Sequence, residues 1–339
     1  LLCLFAHLQG DSTTAQEYGL QALALLERQD YVDYVSPYHR ASVLTYMGHT
    51  LADLGHLNDA TDAYEQALVL RRELARPGVS RFPRGAAGGQ EGEAGRRRED
   101  QRQGDHDTLV RAVAEFESAL EADIRKQAPG DWAMTQHHLG TALLTLGQLK
   151  RDSSVLARSI DAYRQALQEW TRERAPLDWA KTRNCLGTAL RVRGEQGGDP
   201  RELEQAVAEH RSALAVWTRE HWPEEWALTQ NNVAAALHRL GEREHDTRHL
   251  SEALAAYGNA LREVRREDRP LAWALTTANL ADLRRSLAEF TGDAEMSRRA
   301  VSDFEMVAQV FHDASHARYY ELAKEQLAVA RKLAAELAA

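Results

Sequence analysis

The sequence predicts an all-α fold, a solenoid of stacked antiparallel helix pairs, on three observations. Pro129, Pro176, Pro223 and Pro270 fall 47 residues apart, and Trp132, Trp179, Trp226 and Trp273 keep the same interval. A fixed period of that size marks a repeat architecture, one supersecondary unit per period. Each unit holds two stretches with apolar residues at helical spacing, and none alternates as a half-buried strand would. A single helix pair cannot bury its apolar faces alone, so neighbouring pairs must stack.

The first helix of each unit, helix A, reads DWAMTQHHLGTALLTLG from Asp131, DWAKTRNCLGTALRVRG from Asp178, EWALTQNNVAAALHRLG from Glu225 and AWALTTANLADLRRSLA from Ala272. Leu139, Leu186, Val233 and Leu280 each precede a small residue, Gly140, Gly187, Ala234 or Ala281, a position that predicts close approach of another helix backbone. The four tryptophans sit at one position just inside helix A, which predicts packing wedges at the joints. Helix B shows its stripe in Leu156, Ile160, Tyr163, Leu167 and Trp170, with Ser159 and Ala166 interleaved. In one copy its start is legible: Asp199 can cap, Pro200 suits the first helical position, and Glu202 follows three residues after the cap. Its end is set by Pro176, Pro223 and Pro270, which disfavour helix in the preceding residue. Acidic Asp178 or Glu225 then meets the positive N-terminus of the next helix A.

These features resemble the tetratricopeptide repeat family. Leu and a small residue in helix A are followed in helix B by Ala206, His210 and Ala213, or by Ala253, Tyr257 and Ala260, where the family carries Ala, an aromatic and Ala. His210 departs from the aromatic. The period of 47 also departs from the family's usual length, predicting an expanded A to B loop and a longer helix B, as in the extended variant of multidomain bacterial signalling proteins. The resemblance implies a right-handed superhelix whose A helices line a concave groove. Residues 41–74 fit the shorter family unit through Met47, Gly48, Leu51, Gly55, Ala60, Tyr64 and Ala67. Residues 1–30 fit a truncated one through Gly10, Ala15, Ala22 and Leu23. Leu1 to Leu8 reads as the interior of a helix in a chain cut from something longer.

The domains expected are N-terminal pairs over 1–75, a Gly/Arg-rich stretch over 76–106, the extended array over 107–320 and a capping helix over 321–339. Between Gly78 and Gly104 lie seven of the 21 glycines and six arginines but no Leu, Ile, Met, Trp, Tyr or Cys, which predicts disorder. Two readings stand: a hinge between two arrays, or coding sequence read out of frame, since the helix B stripe resumes in register at Leu109, Val113, Phe116, Leu120 and Ile124. Residues 107–128 then form an orphan helix B with an exposed apolar face.

The balance of 42 Lys+Arg against 51 Asp+Glu gives a net charge of −9, so bulk electrostatics recruit no nucleic acid. Cys3 and Cys185 alone cannot make a disulfide framework, which points to a reducing, cytoplasmic setting. No apolar run approaches the roughly 20 residues of a membrane span.

The chain carries no phosphate loop, dinucleotide fingerprint, HExxH or GxSxG, so no catalytic, cofactor or metal residues are assigned. His245 and His249 have the i, i+4 spacing of a metal-binding helix, the basis of a metal-dependent hydrolase alternative. Their place in the A to B loop favours a solvated pair instead. Under the resemblance, the groove is lined by His137, His138, Asn184, Asn231, Asn232 and Asn279, whose amides can clasp peptide backbone irrespective of sequence. Lys181, Arg191, His238, Arg239 and Arg285 add a basic lining suited to an acidic peptide. The partner expected is a protein or peptide. The whole reads as a non-enzymatic sensor or adaptor arm of a larger signalling protein. The alternative is an intramolecular array restraining an attached NTPase, peptidase or DNA-binding domain.

Overall fold

The computed structural model describes residues 109–338 except 115, 121–123, 198, 200 and 315. The expected N-terminal pairs of 1–75 and the Gly/Arg-rich stretch lie outside the described residues. Contacts divide the chain into two compact units, Leu1–Val155 and Leu156–Ala339. All regular structure among the described residues is helical.

In the first unit, residues 109–114 and 116–120 are helical, as is Ile124–Gln127, before α1 (Pro129–Lys150). Val113 and Phe116 are buried, and Phe116 stacks on His138 of α1 with ring centroids 6.1 Å apart. Of the resumed helix B stripe, Val113 and Phe116 are thus buried while Leu109 and Leu120 are half-buried, and Val110 beside them is exposed.

From α2 (Ser153–Glu169) onward the pairs follow the predicted period: α3 (Pro176–Glu195) with α4 (Arg201–Ala213), α5 (Pro223–Glu244) with α6 (Thr247–Glu263), and α7 (Pro270–Thr291) with α8 (Ala294–Asp313). A last helix, α9 (Ala317–Glu336), begins 47 residues after Pro270 and so stands in register as a further helix A. Each proline occupies the first turn of its A helix, and the residue before it, Ala128, Ala175, Trp222 or Arg269, is driven out of helical backbone to φ between −139° and −145°.

The B helices have a capping rule that the sequence reading saw in one copy only. Asp152, Asp199, Asp246 and Asp293, each 47 residues from the last, accept from the backbone N–H of Ser154, Arg201, Arg248 and Glu295 at 2.8 to 2.9 Å. Glu202 does not close a capping box; it pairs with Arg193. The A to B loops are short, not expanded: two residues join α1 to α2, α5 to α6 and α7 to α8. The extra length of the period lies in the helices themselves, with 22 residues in α5 and 17 in α6, and in B to A connectors such as 214–222.

Small residues in helix A admit side chains of helix B. A Cβ on Gly187 would meet the His210 ring at 2.8 Å, and one on Gly241 would meet Leu250 at 2.7 Å. At Gly187, contrary to the sequence reading, it is a ring and not another backbone that needs the room; at Gly241 an isobutyl group and the Asp246 carbonyl share it. Ala281 likewise packs with Phe304. The tryptophans act as wedges: half-buried Trp226 and Trp273 both pack on the cluster of Ala227, Ala260 and Val264 at the end of α6. Their outward faces carry a cation, Arg219 over Trp226 at 5.7 Å and Arg266 over Trp273 at 5.4 Å.

Candidate ligand-binding face

Within the second unit, consecutive A helices α3, α5, α7 and α9 touch one another, while consecutive B helices have no comparable contact. The A helices therefore occupy the inner side, and residues three and four apart on them form its surface.

Across this side runs a row of amides. Asn184 Oδ1 accepts from His210 Nδ1 at 2.7 Å and from Asn232 Nδ2 at 3.2 Å. Asn231 donates to Asn232 Oδ1 at 3.5 Å, and Asn279 donates to Asn231 Oδ1 at 3.2 Å. Donors thus point one way, from α7 through α5 to α3. The row rises from burial to solvent: Asn184 is 8 % exposed, Asn231 and Asn232 are half-buried, and Asn279 is exposed. Asn279 Oδ1 accepts nothing among the described residues.

A second row crosses one or more turns further along. Arg239 reaches Glu242 at 2.7 Å, Asp282 at 3.3 Å and Glu195 at 3.7 Å, tying α3, α5 and α7 together. Arg191 pairs with Glu195 at 2.5 Å, and Arg285 with Asp282 at 2.6 Å and Glu289 at 3.5 Å. His238 is buried, its Nε2 3.1 Å from Ser286 Oγ and 3.2 Å from Glu242 Oε1. Burial opposes the charge on Glu242, but bonds from His238, Ser286 and Arg239 outweigh it and hold the carboxyl well below its ordinary range. Burial likewise opposes the charge on Arg239, and its carboxylate partners outweigh that and raise it. The expected basic lining is therefore a ridge of alternating charge, because every arginine in it already holds a carboxylate. Glu195, Glu242 and Glu289 were missed although they too recur every 47 residues.

The remaining site residues are scattered. Lys181 is half-buried beside Asp178, whose carboxyl burial raises and Lys181 lowers in turn. His137 and His138 lie in the first unit, both buried and edge-on to each other at 5.6 Å. With His238 they offer no open surface to a ligand.

A tetratricopeptide repeat family model matches residues 40–75, where the shorter unit was expected over 41–74. No curated protein matches it significantly. Among solved structures, a circular tandem repeat protein with novel repeat topology and enhanced subunit contact surfaces is 15% identical, covering 99% of this chain and 94% of that one, with a TM-score of 0.33. The TPR2AB-domain:pHSP90 complex of yeast Sti1 is 15% identical, covering 86% of this chain and 98% of that one, with a TM-score of 0.25.

His210 is fully buried at the position where the resemblance sets an aromatic, and its Nε2 has no partner among the described residues. Burial first, and the charge of Arg191 second, push its pKa down to about 3, so it stays a neutral ring. A crevice of about 540 Å³ opens beside Gly194, Gly197 and Leu203, walled by Glu195, Arg239, Glu242 and Arg243. The His245/His249 pair is split. His245 ends α5 at φ 54° and sits edge-on to Phe290 at 5.3 Å. His249 lies within α6, its Nδ1 3.3 Å from Glu244 and 3.9 Å from Asp246. These three could converge on a metal, yet Asp246 is already committed to capping α6 and to Arg248 at 2.7 Å. No helix among the described residues is long and apolar enough to cross a membrane.

Proposed function

We propose that the chain is a non-catalytic interaction scaffold that holds an extended peptide segment against the A helices of residues 156–339. The observation that carries this reading is the amide row, which ends on the exposed Asn279 with a carbonyl oxygen that no described residue uses. An extended segment has backbone N–H and C=O groups of its own to satisfy, and amides supply both partners. The 47-residue pairs are read as extended tetratricopeptide units, and the whole as the sensor or adaptor arm of a larger cytoplasmic signalling protein. The preference for acidic peptides drawn from the sequence rested on free guanidiniums, and the ridge holds none.

The test is a peptide-display selection on the whole chain, followed by Asn231→Ala and Asn279→Ala variants. Selected peptides should lose roughly tenfold in affinity with each variant, as losing one hydrogen-bonded contact implies, while the fold is retained. Variants that melt early and bind normally would make the amides inter-helix struts. An attached domain restrained elsewhere on the array would then be the better reading.

A further inference from the structure

Two joints of the array differ by a pair of rings. Where α5 turns into α6, His245 sits edge-on to Phe290 of α7 with centroids 5.3 Å apart. The places 47 residues earlier in the sequence hold Gly198 and Arg243. At that earlier joint lies the crevice of about 540 Å³, a size usual for small-ligand pockets. Gly197, one of its walls, has nothing within 4 Å of its would-be Cβ. The array therefore shows what fills such a place when the chain itself supplies the filling: a flat heteroaromatic ring against the residue at the place of Arg243.

We infer that this crevice binds an indole ring brought by another molecule, with the Arg243 guanidinium on its face and a Glu195 oxygen accepting its N–H. The charged walls are two guanidiniums, Arg239 and Arg243, and two carboxylates, Glu195 and Glu242, so net charge on a ligand gains nothing there and a neutral ring is preferred. Leu203, 1% exposed, adds an apolar surface. Arg243 Nη1 donates to the Gly194 carbonyl at 2.9 Å, which holds the guanidinium of α5 across to the end of α3. A guanidinium prefers the face of indole to that of any other side-chain ring, and it repels a protonated imidazole. The chain itself makes this pairing three times along the array, Arg183 over Trp179 at 5.2 Å, Arg219 over Trp226 at 5.7 Å and Arg266 over Trp273 at 5.4 Å.

The donor on the ring decides between indole and phenyl. Glu195 Oε1 pairs with Arg191 at 2.5 Å and with Arg239 at 3.7 Å, while its Oε2 accepts from none of the described residues. An indole N–H meets that oxygen, and a phenyl ring would cover it without a bond. No amide of the row is a wall of the crevice, so the site goes beyond the groove reading and does not depend on it.

The experiment titrates the whole chain into N-acetyl-5-fluorotryptophanamide and follows the probe's fluorine resonance. Saturable binding is expected with a Kd of about 1 mM or tighter. The analogue methylated on the indole nitrogen should compete about tenfold more weakly, since it has lost the donor to a carboxylate. Arg243→Lys keeps the charge but loses the plane, and should weaken the probe about fivefold. Glu195→Ala should weaken it about tenfold with an unchanged circular dichroism spectrum, and Glu195→Gln should retain most of the affinity because its amide oxygen still accepts. Free tryptophan and the peptide Gly-Gly-Trp-Gly-Gly carry the same ring, and the tighter competitor of the two identifies whether a small molecule or a chain supplies it. Absence of saturable binding, or binding that neither the methylated analogue nor the variants alter, would overturn the inference and leave the groove reading to its own display test.

Discussion

His210 donates from Nδ1 to Asn184 Oδ1 at 2.7 Å, and both side chains are buried. That bond fixes the ring's tautomer and leaves Nε2 as a buried lone pair with no partner among the described residues. It also makes a titratable group part of the amide row.

The first prediction follows from that ring. Its folded pKa, about 3, lies below the ordinary 6.5, so in the window between them the unfolded chain binds the proton and the folded chain does not. Stability therefore falls as pH drops through that window, by about 2 kcal/mol from this residue at pH 5 relative to neutral pH. Urea unfolding at pH 7.5 and pH 5 should show the loss, and His210→Phe should remove that share of it. An equal loss in the variant would assign the acid sensitivity elsewhere.

Helix glycines separate by what surrounds them. Gly187→Ala drives a methyl into the His210 ring, and Gly241→Ala drives one into Leu250 and within 3.1 Å of the Asp246 carbonyl. Each should destabilise by about 1 to 3 kcal/mol through overpacking. Gly258, inside α6, has nothing within 4 Å of its would-be Cβ. Gly258→Ala should stabilise by about 0.5 to 1 kcal/mol, because alanine loses less backbone entropy in a helix. Thermal melts of the three variants test the contrast, and a common sign would refute it.

Arg239 holds three repeats through three carboxylates. Its side chain is 39% exposed, so solvent screens the pairs, and Arg239→Ala should cost about 1 to 2 kcal/mol and not the larger penalty of a fully buried ion pair. The cost should shrink in 1 M salt, where exposed charges interact over only about 3 Å. A salt-independent cost would show that the side chain's packing matters more than its charge.

Trp226 is half-buried, with Arg219 across its open face. Trp226→Ala should cost about 2 to 3 kcal/mol, below the range for a fully enclosed tryptophan. Trp226→Phe should recover most of that. Hydrogen exchange should report the loss first in α5 and α6, since stability in a repeat array is carried by nearest-neighbour interfaces. Uniform loss across residues 156–339 would contradict that.

Much of the scaffold was legible because its causes are local. Proline fixes its own φ and bars helix in the residue before it, so Pro176, Pro223 and Pro270 mark helix starts without reference to anything distant. The aspartates at 152, 199, 246 and 293 are equally local caps, and their period could have been read as easily as the tryptophans'. The assumed A to B loop hid them, since it took residues that belong to long helices.

What the sequence by itself determined is the repeat, the helix starts and the positions that must stay small. Only the tertiary structure decided which of those positions meet. The sequence repeats every 47 residues, yet the bonds between A helices, Asn184 to Asn232, Asn231 to Asn279 and His238 to Ser286, join residues 48 apart. Packed helices cross at an angle, so contact runs diagonally from one repeat to the next and pairs each residue with its neighbour's successor. That offset places Arg239 among carboxylates of three helices and turns a basic lining into a ridge of mixed charge. Side-chain partners across a joint depend on this rotation, which no single repeat encodes.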